Sequence, residues 1–126
     1  MPHYYTEFSF AISNIMTGER EWLERHFNDW EESDTHTPPD HAFSAGSDGD
    51  TLWIHEDEGC DLEGLAQLLQ KFLAGFRPED SIGFSWADTC SKPRLDSFGG
   101  GAVFITADGQ KWMNVWEWLT KEERLA

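Results

Sequence analysis

Residues 61–88, DLEGLAQLLQKFLAGFRPEDSIGFSWAD, change hydrophobic period part-way, and that change decides the fold class. Leu62, Leu65, Leu68, Leu69, Phe72, Leu73 and Phe76 recur at the 3.6-residue spacing of one helix face. Asp61 stands where an N-cap is needed, and Gly75 and Pro78 mark the end of the helix. From Ser81 to Asp88 the period is two, with Ile82, Phe84 and Trp86 on one face of a half-buried strand.

Working outward, YYTEFSFAIS (4–13) alternates in the same way: Tyr4, Thr6, Phe8, Phe10 and Ile12 share a face. The segment Glu19 to Trp30 sets Trp22 or Leu23, Phe27 and Trp30 at helical spacing, with Glu19 and Glu21 near the positive end of the helix dipole. EESDTHTPPDH (31–41) is polar, contains Pro38-Pro39 and reads as a loop. Asp48-Gly49 between Ala42–Ser47 and Thr51–Glu56 predicts a hairpin. A Gly-rich connection leads to a strand over Ala102–Thr106. Asp108-Gly109 then opens either a strand or a helix, and TKEE (120–123) matches a capping box that would start a short terminal helix. The order β-α-β-β-α-β-β predicts an α+β two-layer sandwich, a mostly antiparallel sheet with two main helices on one face. Its βαββαβ prefix fits a ferredoxin-like arrangement.

The 126 residues make one domain, 1–126, and 9 Phe, 7 Trp and 2 Tyr supply a core that disordered chains lack. No long apolar run and no basic-then-apolar leader is present, so the expected location is cytoplasmic, with no membrane partner. Cys60 and Cys90 without a CxxC exclude a disulfide scaffold or a four-cysteine zinc site.

Charge is the most informative feature. With 24 acidic and 9 basic residues the chain carries −15, which disfavours direct contact with nucleic acid. Between Arg25 and Lys71 there is no Lys or Arg. Asp29, Glu31, Glu32, Asp34, Asp40, Asp48, Asp50, Glu56, Asp57, Glu58, Asp61 and Glu63 all lie in that interval. Two subsets form the candidate partner-binding set: Asp29, Glu31, Glu32 and Asp34 after the first helix, and Glu56, Asp57, Glu58, Asp61 and Glu63 ahead of the second. Unpaired like charges weaken a compact state, so such segregation points to a basic protein surface as partner; plain solubility is the competing reading.

Other constellations are weaker. WADTCSKPRLDSFGGG (86–101) could carry an enzyme site with Cys90 as nucleophile and Asp88, Lys92, Arg94 and Asp96 positioning a substrate, but no histidine lies nearby in sequence. The competing reading makes Cys90 a small buried hydrophobe, pairs those charges with one another, and gives Pro93 and Gly99-Gly100-Gly101 to a turn. His36, Asp40 and His41 with Asp34 match no established metal spacing, and HEDEGCD (55–61) lacks the EF-hand pattern; no catalytic residue, metal or cofactor is assigned. Trp112, Trp116 and Trp118 cannot all point inward, whether in helix or strand, and are candidate interface aromatics, including for a homodimer.

YYTEFSFAI (4–12), LWIHEDE (52–58) and SIGFSWADTCSKPRLDSFGGGAVFITADGQKWMN (81–114) resemble a family of small acidic proteins of unassigned activity carried by phages, plasmids and integrated mobile elements. The family has no established catalytic residues, so none is carried over. The resemblance implies an anti-defence context: binding to host restriction or CRISPR machinery, in some cases by imitating the charge of DNA. The expected function is thus a non-enzymatic acidic binding protein inhibiting a nucleic-acid-binding defence protein. A small enzyme using the Trp86–Gly101 region and an oligomeric accessory protein are the alternatives.

Overall fold

A computed structural model describes residues 4–32, 38–91 and 98–125. The elements in chain order are β1 (Tyr4–Ile15), α1 (Thr17–Glu32), β2 (Asp40–Ser44), β3 (Asp50–Glu56), α2 (Leu62–Phe76), β4 (Ser81–Cys90), β5 (Gly99–Thr106), β6 (Gly109–Asn114) and α3 (Val115–Leu125). The six strands form one antiparallel sheet in the order β2-β3-β1-β4-β5-β6. Its first four strands, with α1 after β1 and α2 after β3, have the ferredoxin-like order expected from the sequence; β5 and β6 extend it beyond β4.

The core lies between one face of the sheet and the two long helices. Phe8, Ile12, Leu52, Ile54, Phe84, Val103 and Ile105 face Leu23 and Phe27 of α1 and Leu65, Leu69, Phe72 and Leu73 of α2, all buried. The opposite face carries mostly small residues, among them Ser9, Ala11, Ala42, Ser85 and Ala87, and is exposed.

Alternation in β1 breaks near its end. Pairing with β3 shifts register between Ile12 and Ile15, and Asn14 takes a positive φ of 59°, a conformation Asn tolerates better than most residues. The bulge turns Ile15 inward although it lies three residues from Ile12, so both are buried. The bulged carbonyls of Ser13 and Asn14 accept hydrogen bonds from Arg77 Nη2, at 3.2 and 2.8 Å. The same guanidinium pairs with Glu19 at 2.8 Å. Glu19 is 7% exposed, and its Oε1 also accepts from the Met16 amide at the start of α1. Its side chain therefore does more than face a helix dipole: it closes the N-terminus of α1 against the C-cap of α2.

The central strands are only partly joined. β1 pairs with β4 over Tyr4–Glu7 and Ala87–Cys90, whereas the second half of β1 pairs with β3 alone. Beyond Glu7, Phe10 and Phe84 stack with ring centroids 4.4 Å apart and planes within 3°.

Several boundaries differ from the sequence reading. α1 continues through Glu32 and β2 begins at Asp40, so the polar stretch 31–41 is loop only in part; 33–37 lie outside the described residues. The hairpin ladder closes at Ser44 and Thr51, leaving Asp48-Gly49 inside a longer loop. Residues 108–119 hold both strand and helix, β6 and then the start of α3. The terminal helix starts at Val115, not Thr120. Asn114 Oδ1 accepts from the amides of Trp116 and Glu117 at 2.9 and 3.3 Å, making Asn114 the cap, while Thr120 sits mid-helix and its hydroxyl donates to the Trp116 carbonyl.

Gly99, Gly100 and Gly101 are strand residues rather than a turn, paired with Asp88, Ala87 and Trp86. A Cβ on Gly101 would lie 2.8 Å from the Trp86 ring and overlap the Met113 carbonyl oxygen. Trp86 needs the missing side chain in order to lie across β5.

Arg77→Met leaves the buried Glu19 carboxylate uncompensated and should lower unfolding free energy by about 3 kcal/mol in a urea titration. Burial pushes the Glu19 carboxyl up from its ordinary 4.5, but hydrogen bonds from Arg77 and the Met16 amide, with the Arg77 charge, outweigh burial and leave it lowered. The stabilisation is therefore complete above about pH 4.5 and lost as pH falls through the lowered folded value. The stability gap between wild type and Glu19→Gln should shrink on acidification from pH 7 to about pH 3. Gly101→Ala should destabilise by about 3 kcal/mol or more, read in the same titration, because the clash involves backbone on one side and an indole on the other.

Candidate functional site

α1 and α2 run antiparallel, as their contacts show. Trp22 near the start of α1 meets Phe72 and Phe76 late in α2, with centroids about 6 Å apart (6.1 and 6.0 Å). Trp30 near the end of α1 lies against Gly64 early in α2, where a Cβ would stand 3.3 Å from the indole Cζ2. This packing brings the two acidic subsets to one end of the helical layer. Asp29, Glu31 and Glu32 occupy the last turns of α1 and are exposed. Glu56 ends β3, Asp57 and Glu58 follow it, and Asp61 and Glu63 stand at the start of α2. Asp34 lies outside the described residues.

The acidic residues are not equivalent. Glu56 is half-buried and its Oε2 accepts from the amides of Glu58 and Gly59 at 3.2 and 2.9 Å, holding the β3–α2 connection in shape. Asp61 Oδ1 accepts from the Gly64 amide at 3.1 Å and caps α2. These two carboxylates have structural work to do. Asp57, Glu58 and Glu63 are exposed. Among the described residues none of the set takes part in an ion pair; the ion pairs present engage Glu19, Glu24 and Asp50. α1 has no basic residue in its last turn, so the partial negative charge of that helix end adds to the side-chain charges.

Cys60 lies within this end. Burial first, then Glu56 and Asp61, push its thiol up to about 12, so it stays protonated and a poor nucleophile. From the sequence, Cys60 enters only in excluding a disulfide scaffold and a metal site, and no role is assigned to it. The one local signal for the packing around it was Gly64, a glycine inside a helix, where close approach by another group is a common reason.

The remaining candidates separate from the acidic end. Trp112 lies on β6, the sheet edge opposite β2, 5.7 Å from Trp86 in an edge-to-face contact, and its Nε1 donates to Gln110 Oε1 at 2.9 Å. Trp116 Nε1 donates to the Phe98 carbonyl at 3.0 Å, and Trp118 is 52% exposed. His41 stacks on Phe27 at 4.2 Å, inside the packing, and Asp40 is on β2; His36 is outside the described residues. Among the described residues no three His, Cys, Asp or Glu side chains gather as metal ligands. Asp88 accepts from the Thr6 hydroxyl at 3.0 Å and Cys90 is half-buried, while Lys92, Pro93, Arg94 and Asp96 lie outside the described residues. No described helix is long and apolar enough to cross a membrane.

Comparison of the chain with protein-family models, with curated proteins and with solved structures found no match.

If burial and the flanking carboxylates hold the Cys60 proton, a thiol reagent at pH 8 should modify Cys60 at least about a hundredfold more slowly in the folded protein than in urea, since the thiolate is the reacting form. Equal rates would show that Cys60 is open and ionises normally. Peptide mapping after timed quenching separates it from Cys90.

Proposed function

We propose that the chain is a non-enzymatic acidic binding protein whose end formed by the C-terminus of α1 and the β3–α2 connection engages a basic protein surface that otherwise meets nucleic acid. The observation that supports this reading is the antiparallel packing of α1 on α2. It gathers Asp29, Glu31 and Glu32 with Glu56–Glu63 at one end, with no ion-pair partner among the described residues. Carboxylates held together on rigid helix ends present a dense negative field, which steers association with a cationic groove and competes with phosphates for it. In the mobile-element context that the resemblance implies, the partner is a host defence protein, and occupancy of its groove inhibits it.

The test uses the exposed carboxylates and spares Glu56 and Asp61, whose loss would disturb the fold. Immobilised wild type and the variant Glu31→Gln, Glu32→Gln, Asp57→Asn, Glu58→Gln, Glu63→Gln are each offered a lysate of host cells, with and without a duplex DNA competitor. Wild type should retain basic nucleic-acid-binding proteins, the variant should lose most of that capture, and duplex DNA should release them. Retention unchanged by neutralisation, or unaffected by duplex DNA, overturns the proposal.

A further inference from the structure

The sheet edge opposite β2 has a different character. Of the eleven large hydrophobic side chains exposed among the described residues, eight belong to residues 98–125. That segment carries four acidic and three basic side chains, so it is nearly neutral on a chain of −15. α3 buries none of its residues against its own chain. An isolated helix of 11 residues is marginal in water, and here it is held by the Asn114 cap and the Trp116–Phe98 hydrogen bond at its first turn. Trp118 and Leu125, 52% and 73% exposed, are seven residues apart and lie on one stripe. Glu117 and Arg124, in the first and last turns, are also seven apart and flank that stripe on one side.

We propose that α3 is a self-association helix, pairing antiparallel with α3 of a second copy about a two-fold axis, with Trp118 and Leu125 at the contact and Glu117 opposite the partner's Arg124. The spacing selects this occupant. In an antiparallel pair, equivalent flanking positions of the two helices face each other, so an acid in the first turn and a base in the last make the same helix its own complement, twice over. A parallel pair would instead set Glu117 against the other flank of the partner helix, where Glu122 stands. Charge is compatible with this contact: residues 98–125 are nearly neutral, so two copies meeting there bring little like charge together within the interface itself. Helices this short bury less than a standard interface, so the dimer is a weak one, with concentration deciding its population.

Sedimentation of the full chain between about 1 and 100 µM should show a monomer–dimer equilibrium. Trp118→Ala should raise the dimer dissociation constant about tenfold or more, as loss of a central aromatic contact does. Glu117→Arg sets Arg against Arg at both flanks, and Arg124→Glu sets Glu against Glu. Each variant alone should dimerise more weakly than wild type, and an equimolar mixture of the two should form a heterodimer as tight as wild type. The mixture keeps the test independent of folding, since a misfolded variant is not rescued by mixing. A wild-type monomer throughout that range, or a mixture no tighter than its components, overturns the proposal.

Discussion

The contact between Arg77 and Glu19 sets the arrangement of everything around it. One guanidinium, at the end of α2, holds the buried carboxylate at the start of α1 and the two carbonyls exposed by the bulge in β1. An ion pair of this kind adds little net stability, because desolvating both charges offsets their attraction; its force lies in the cost of leaving either charge alone. The fold is thereby confined to geometries in which the start of α1 meets the end of α2. Antiparallel helices are the result, and their other ends, acidic and without bases, have to meet.

The long periodic elements were legible in the sequence because their signal is local. The seven apolar positions from Leu62 to Phe76 and the alternation from Ser81 to Asp88 each bury one face, and the α+β class with two helices on one face follows from them. What escaped was decided over long separations. Glu19 reads as a dipole residue because its partner lies 58 positions away. Gly99–Gly101 read as a turn, since glycine is common in turns; their place in a strand is dictated by Trp86, which only strand pairing brings across them. Thr120–Glu123 matches a capping pattern, but Asn114 captures the helix first, at the point where β6 ends. The acidic residues were visible one by one. Their division into structural (Glu56, Asp61) and exposed (Asp57, Glu58, Glu63) members depends on backbone amides that no pattern of charges reveals.

The two surfaces proposed for association rest on different physics. The acidic surface proposed for binding would act over about 10 Å at 0.1 M salt, through charge, and favour speed of association more than residence time. The proposed self-association through α3, at a nearly neutral edge rich in exposed aromatics, would act only on contact, through area removed from water.

The incomplete seam between β1 and β4 turns the sheet into two leaves sharing a short hem. One leaf is β2, β3 and the far half of β1; the other is β4, β5 and β6, joined to the near half of β1 by four residue pairs. Along the open part runs a polar cavity of about 570 Å³, lined by Phe10 to Asn14 on one side and Ser81 to Gly83 on the other. The Phe10–Phe84 stack lies on the core side of this seam, packed against the buried cluster. Past those four pairs the leaves are held by side chains instead, through the Phe10–Phe84 stack and the Arg77 hydrogen bonds to the Ser13 and Asn14 carbonyls.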